Sequence, residues 1–184
     1  METVLTQEDR DRLCKIARQA FSSRFFEAAE KEVPPTPGCL QPGGVFVTLK
    51  ENGHLRGCIG RMTSSEPLKD TVAQMALAAA FEDPRFEPLD KTELPEISLE
   101  ITVLGPLKRI KGPQDFVIGV HGLYITRGYR SGVLLPQVAV ECGWDGLTFL
   151  EQVCRKAALP QDAWKSPESS LYAFEGFVFG ENGN

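Results

Sequence analysis

Histidine is almost missing from this chain: His54 and His121 are the two in 184 residues. The five cysteines, at 14, 39, 58, 142 and 154, include no C-x-x-C pair. Neither a disulfide framework nor a zinc site therefore has its required spacing, and the best metal set, His121 with Cys58 and distant carboxylates, is poor. No metal and no cofactor is expected. Long apolar runs are lacking too: the longest mainly apolar stretch, Met75 to Phe81, is far too short to cross a bilayer, and no basic segment followed by an apolar one opens the chain. The expectation is a soluble cytoplasmic protein without a membrane partner. Nor is there an excess of positive charge, since 25 acidic residues face 20 basic ones for a net charge of -5. That argues against broad nucleic-acid binding and leaves only a local patch around Arg56, Arg61 and Arg85.

What is present is ordinary globular material, 42% hydrophobic and 24% charged, enough for one domain over 1–184 with a core of its own. Its most unusual stretch is Leu55-Arg56-Gly57-Cys58-Ile59-Gly60, followed by Arg61. Asn52-Gly53 before it is a two-residue turn signal, because both central positions of a type I′ turn want positive φ, so Val45 to Lys50 and His54 to Ile59 read as a hairpin. Alternation along the second strand puts Leu55, Gly57 and Ile59 on a core face and Arg56 with Cys58 on the other, roughly 6 to 7 Å apart. A thiol beside a permanent cation is the pattern of an activated cysteine. A free cysteine is also among the most buried residue types, and burial opposes activation, so packing and chemistry both remain open for Cys58. Gly57 and Gly60 lack the Cβ that would keep another backbone or a ligand away.

The remaining elements follow from pattern. Thr6 with Asp9 forms a capping box for an amphipathic helix running to about Glu30, with Cys14 beside its apolar stripe. Val33 to Gly44 is a proline- and glycine-rich loop, which places Cys39 as the exposed cysteine. Ser64 or Ser65 caps a second helix with Pro67 in its first turn and Leu68, Val72, Met75, Ala76 and Ala79 on its apolar side. Asp83-Pro84 ends it. Ile97 to Val103 alternates as a strand; Gly119 to Arg127 and Val133 to Leu135 are two more, joined by a turn over 128–132. Pro136-Gln137 ends that pair, Asp145 caps a helix from about Gly146 to Ala158, and Leu171 to Phe179 is a last strand, with fraying expected from Gly180 to Asn184. Three helices and six strands in hairpins, without regular strand-helix alternation, make this an α+β chain with a mainly antiparallel sheet.

Three further groups qualify as candidate site residues. Asp83 and Arg85 read either as a helix-ending ion pair or as a loop that brings Arg85 beside Arg56 to bind an anion. Glu100 points away from the core. If its strand neighbours the motif strand, it is either a cross-strand charge partner of Arg56 or a general base for Cys58. His121, set among glycines, is either structural or the proton carrier of Cys58.

The motif also resembles the AMMECR-type domain family, whose prokaryotic members are labelled AmmeMemoRadiSam system protein A. Asp83-Pro84-Arg85-Phe86 with Pro88-Leu89, Glu96-Ile97-Ser98, Gly105-Pro106-Leu107, His121-Gly122-Leu123, Leu134-Leu135-Pro136-Gln137-Val138, Gly143-Trp144-Asp145 and Lys156-Ala157 extend the likeness in order to about residue 179. The resemblance implies a two-lobed α+β domain whose larger lobe holds both termini, with a cleft between lobes and a fold likened to the RAGNYA group of nucleotide-, nucleic-acid- and peptide-binding domains. It also implies Memo-like and radical SAM partner proteins. It supplies a fold and a surface rather than a reaction. The leading reading is an anion- or nucleotide-binding cleft or thiol-dependent active site, with Cys58, His121 and Glu100 as catalytic candidates and Arg56, Gly57, Gly60, Arg61, Asp83 and Arg85 as binding candidates. The alternative is a non-catalytic adaptor docking a partner. A nucleic-acid binder is disfavoured by the acidic balance and the lack of basic-aromatic clusters along the sequence.

Overall fold

The computed structural model describes residues 5–26 and 33–181. Its order is α1 (Gln7–Ser22), β1 (Val45–Glu51), β2 (His54–Arg61), α2 (Leu68–Phe81), β3 (Ile97–Leu104), β4 (Lys108–Arg109), β5 (His121–Arg127), β6 (Arg130–Leu134), α3 (Pro136–Glu141), α4 (Gly146–Lys156) and β7 (Ser170–Gly180), with short 3₁₀ turns between. This is an α+β fold with antiparallel strand pairs flanked by helices. The chain divides into two compact units: one runs to Leu104 and resumes at Phe177, and the other is Gly105–Gly176.

In the first unit the strand order is β2-β1-β3, with the end of β7 beyond β3. Val45, Val47 and Leu49 alternate inward along β1 and are fully buried. They share one core with Leu13, Ala17 and Phe21 of α1, with Leu68, Val72, Ala76 and Ala79 of α2, and with Leu99 and Ile101 of β3. The capping box at Thr6 forms as the pattern predicts, with Asp9 N–H donating to Thr6 Oγ1 at 3.2 Å and Thr6 N–H to Asp9 Oδ2 at 2.8 Å. The same Asp9 carboxylate accepts from Thr36 Oγ1 at 2.5 Å and from Gly38 N–H at 3.0 Å, which ties the proline-rich loop onto α1. Cys39 is consequently fully buried, against expectation. A loop held by a buried carboxylate at one residue carries its neighbour inward with it.

Other differences have local causes. The first helix stops at Ser22, and the expected continuation toward Glu30 reaches residues 27–32, outside those described. Neither serine caps α2, whose N-cap is Pro67; Ser64 Oγ instead accepts from Glu66 N–H and Thr71 Oγ1. In the second unit the order is β7-β5-β6, with the two-residue β4 paired to β7 on its other side. The β5–β6 turn is only Gly128-Tyr129, because Arg127 already pairs with Arg130. Pro136 ends β6 by starting α3, a short helix that the breaker reading missed. Asp145 caps α4 through Thr148 N–H at 2.7 Å, and Phe149, Leu150, Val153 and Cys154 bury the helix against Leu123, Ile125, Leu171 and Ala173; Leu147, expected on that side, is exposed.

Candidate functional site

The Asn52-Gly53 turn behaves as its residues require, with φ of 50° and 82°. Two residues on, the ladder slips: Lys50 pairs with Leu55 but Leu49 pairs with Gly57, leaving Arg56 as the extra residue of a β-bulge. Leu55 therefore joins the side of Lys50 rather than the core side and is exposed, correcting the simple alternation. Beyond the bulge Gly57 and Ile59 face the core opposite Leu49 and Val47, while Cys58 lies opposite Thr48. A Cβ on Gly57 would stand 2.1 Å from the Ala79 carbonyl oxygen, and one on Gly60 would stand 2.3 Å from the Phe46 ring. Both glycines are occupied by close packing of protein on protein.

Since β2 is an edge strand among the described residues, the outward peptide groups of Cys58 have no strand partner. The Asp83-Pro84-Arg85-Phe86 loop supplies one. Cys58 N–H donates to Asp83 Oδ2 at 2.9 Å, and Arg85 Nη2 donates to the Cys58 carbonyl at 3.3 Å. Asp83 and Arg85 are themselves joined by a two-point pair, 2.9 and 2.6 Å. The Asp83 side chain is 2% exposed and the Arg85 side chain 51%. Arg85 holds the Asp83 carboxyl well below the usual range, with the Cys58 and Arg85 amides adding to it and burial opposing. Asp83 in turn raises Arg85.

Arg56 makes a second two-point pair, with Glu93 at 2.7 and 3.0 Å, which raises Arg56 and lowers Glu93. Arg56 and Arg85 both lie over the Phe86 ring, at 5.9 and 5.4 Å from its centroid. The loop thus does bring the two arginines to one place, around an aromatic ring, and it also forms the local ion pair; each guanidinium comes with a carboxylate of its own. Arg61, half-exposed, pairs with Glu66 at 3.6 Å across an open cavity of about 540 Å³ lined also by Thr63, Ser64 and Ser65.

Cys58 is half-buried, and its sulfur accepts from Thr48 Oγ1 at 3.3 Å. Thr48 in turn lies opposite Glu100, so Cys58, Thr48 and Glu100 form one row across the outer face of the sheet. The strand of Glu100 does not adjoin the motif strand, as considered from sequence; β1 intervenes. At about 4.8 Å per strand, Glu100 and Cys58 are two strands apart. Glu100 pairs instead with Lys50 at 3.1 Å, the cross-strand charge pair with a different cation. His121 belongs to the second unit, where its Nδ1 accepts from Val117 N–H at 3.1 Å and closes the turn that leads into β5. Among the described residues no group of three or more His, Cys, Asp or Glu could hold a metal ion, and no helix is long and apolar enough to cross a membrane.

Sequence reading missed Thr48, Glu93 and Phe86. Thr48 had a signal, being the polar residue inside the apolar run Val45 to Leu49. A plain two-residue hairpin, however, would have paired it with Gly57, and only the bulge brings it to Cys58.

Comparison with known proteins agrees with this fold along nearly the whole chain. A Methanopyrus kandleri protein is 44% identical over 188 residues, covering 96% of this chain and 90% of the relative. A Methanothermobacter thermautotrophicus protein is 40% identical and covers 97% of each. The crystal structure of an uncharacterized protein from Pyrococcus horikoshii superposes with a TM-score of 0.88 at 34% identity, over 97% of this chain and 94% of that one. The AMMECR1 family model matches residues 14–179, which takes in the hairpin, the loop that clamps Cys58 and all seven strands but for the last residue of β7, and the chain belongs to that family.

Proposed function

We propose that the working surface is the sheet face that carries Cys58, serving as a thiol-dependent site for a small ligand with an anionic group, a nucleotide being the class that the family resemblance suggests. One observation carries the reading. Cys58 is held at its N–H by Asp83, at its carbonyl by Arg85 and at its sulfur by Thr48, and yet stays half-exposed. Preorganisation of that kind suits a group that must be aimed. In this reading Cys58 is the nucleophile or redox-active thiol, Thr48 orients it, and Asp83 with Arg85 positions its backbone. Half-exposed Arg85 is the cation that an anion would meet, whereas Arg56 is tied into Glu93 and Arg61, in register with inward-facing Val45, leaves the sheet on the other side. Glu100, in one row with Thr48 and Cys58, stays as the general-base candidate, and Memo-like and radical SAM proteins as the partners with which the site would act.

The test is alkylation of the folded protein by iodoacetamide, resolved by mass spectrometry for each cysteine, with exposed Cys142 as the internal reference. Cys58 should react without unfolding, and Thr48→Val should change its rate while leaving Cys142 alone. Labelling of Cys58 only in denaturant would end the proposal. A second reading has its own support: Gly57 and Gly60 are filled by protein and both arginines are paired, as in a structural hairpin of an adaptor that docks a partner through the 83–89 loop. Partner co-purification that survives Cys58→Ser but not loop changes would favour the adaptor.

A further inference from the structure

The second unit carries a feature unrelated to the motif. Its helices α3 and α4 cover one face of the sheet, over Leu123, Ile125, Leu171 and Ala173. On the opposite face the strand registers place Arg109 across from Tyr172, and Tyr172 across from Tyr124. The tyrosine rings lie side by side, centroids 6.2 Å apart and planes 30° apart. Tyr129, at the tip of the β5–β6 hairpin, is 94% exposed beside Arg130, whose guanidinium lies 5.9 Å from the ring centroid. Two aromatic rings thus come from the β5–β6 hairpin, at positions 124 and 129, and one from β7, at 172. Beside them Arg109 and Lys111, on and next to the short edge strand β4, are exposed, and neither side chain forms an ion pair within 4 Å among the described residues.

Charge is also segregated. The second unit has eight Lys and Arg against seven Asp and Glu, net +1, whereas the rest of the chain has twelve against eighteen, net -6. The acidic balance that argues against nucleic acid for the whole protein therefore does not hold for this unit. Aromatic rings on a sheet, flanked by unpaired cations and an exposed hairpin, are what a single strand needs: bases stack on rings irrespective of sequence, and phosphates meet the cations. A duplex keeps its bases stacked on each other and cannot use such a surface.

We infer that the Tyr124, Tyr172 and Tyr129 surface, with Arg109 at its side, binds single-stranded nucleic acid by base stacking. The test is fluorescence anisotropy of a labelled short oligouridylate titrated with the full chain, from about 50 to about 200 mM salt. Binding should be saturable and weaken with salt. Tyr129→Ala, at a site too exposed to affect folding, should lower affinity about fivefold or more, as should Tyr172→Leu. Tyr172→Phe keeps the ring and should bind like the parent. Arg109→Gln should weaken all sequences alike and reduce the salt slope by about 0.7. The inference is overturned by any of three results: no binding at about 50 mM salt, affinity unchanged in both Tyr129→Ala and Tyr172→Leu, or uridine monophosphate or duplex RNA bound as tightly as the single strand.

Discussion

The carboxylate of Asp83, buried at the end of α2, accepts the backbone N–H of Cys58 at 2.9 Å, so a side chain takes the place of a neighbouring strand at the edge of the sheet. The same carboxylate holds Arg85, which returns a hydrogen bond to the Cys58 carbonyl. Removing it leaves a half-buried amide without an acceptor and a guanidinium without its partner. Asp83→Ala should therefore cost about 2 to 3 kcal/mol, read from urea denaturation. Arg85→Ala should cost less, about 1 kcal/mol, because Arg85 is half-exposed and water replaces it. Equal costs for the two would contradict this picture.

Acid should destabilise the protein through the same group. Asp83, Glu93 and Asp9 all have lowered native pKa values. For Asp83 the largest cause is Arg85 and for Glu93 it is Arg56. For Asp9 burial is the largest effect and pushes upward, but hydrogen bonds from Thr36, Thr6 and Gly38 outweigh it. A depressed carboxyl stabilises fully above its unfolded value, near 4, and that stabilisation is lost as pH falls through the native value. The urea midpoint should be level from neutral pH to about 5 and drop below about 4. Asp83→Asn should lower the plateau and flatten the drop; an unchanged acid limb in that variant would be evidence against it.

Two glycines of the same hairpin should respond differently to alanine. At Gly57 the new Cβ would lie 2.1 Å from the Ala79 carbonyl, so α2 and β2 must separate, with a cost at the upper end of about 1 to 3 kcal/mol or beyond. At Gly53 nothing lies within 4 Å, and only the φ of +82° is strained. Gly53→Ala should cost about 1 kcal/mol. Thermal or urea midpoints of the two variants give the order directly.

Cys14, Cys39 and Cys154 should resist alkylation until the protein unfolds. All three are buried, and burial pushes the Cys14 thiol up to about 12 and raises Cys154 as well. Mass spectrometry after brief native labelling should find adducts at Cys142 but none at these three. An adduct at Cys39 in the folded state would mean that the Asp9 hydrogen bonds do not hold the loop.

Much of this was legible in the sequence, because it rests on contacts a few residues long. Asn52-Gly53 dictates the turn by backbone sterics, Thr6 with Asp9 and Asp145 cap their helices, and the Ile97 to Val103 alternation faces the core as written. Where local signals compete, the pattern is incomplete: Pro136 ends β6 as expected but also starts α3, and the serines before α2 do not cap it, because Pro67 stands between them and the helix.

What only the tertiary structure decided is pairing across distance. The bulge at Arg56 shifts the register by one residue, which turns Gly57 and Ile59 to the core out of phase with Leu55 and sets Thr48, not Val47, against Cys58. No local propensity encodes that shift; it puts Gly57, which has no Cβ, where α2 presses its Ala79 carbonyl. The roles of Asp83, Arg85 and Glu93 depend on which edge strand and which arginine the chain brings within about 3 Å of them. The tyrosine row depends on β4, β5 and β7 meeting in one register from three separate stretches of sequence. Residue chemistry determined the elements and the turns, whereas neighbours were settled by packing, because a hydrogen bond or an ion pair acts only at contact.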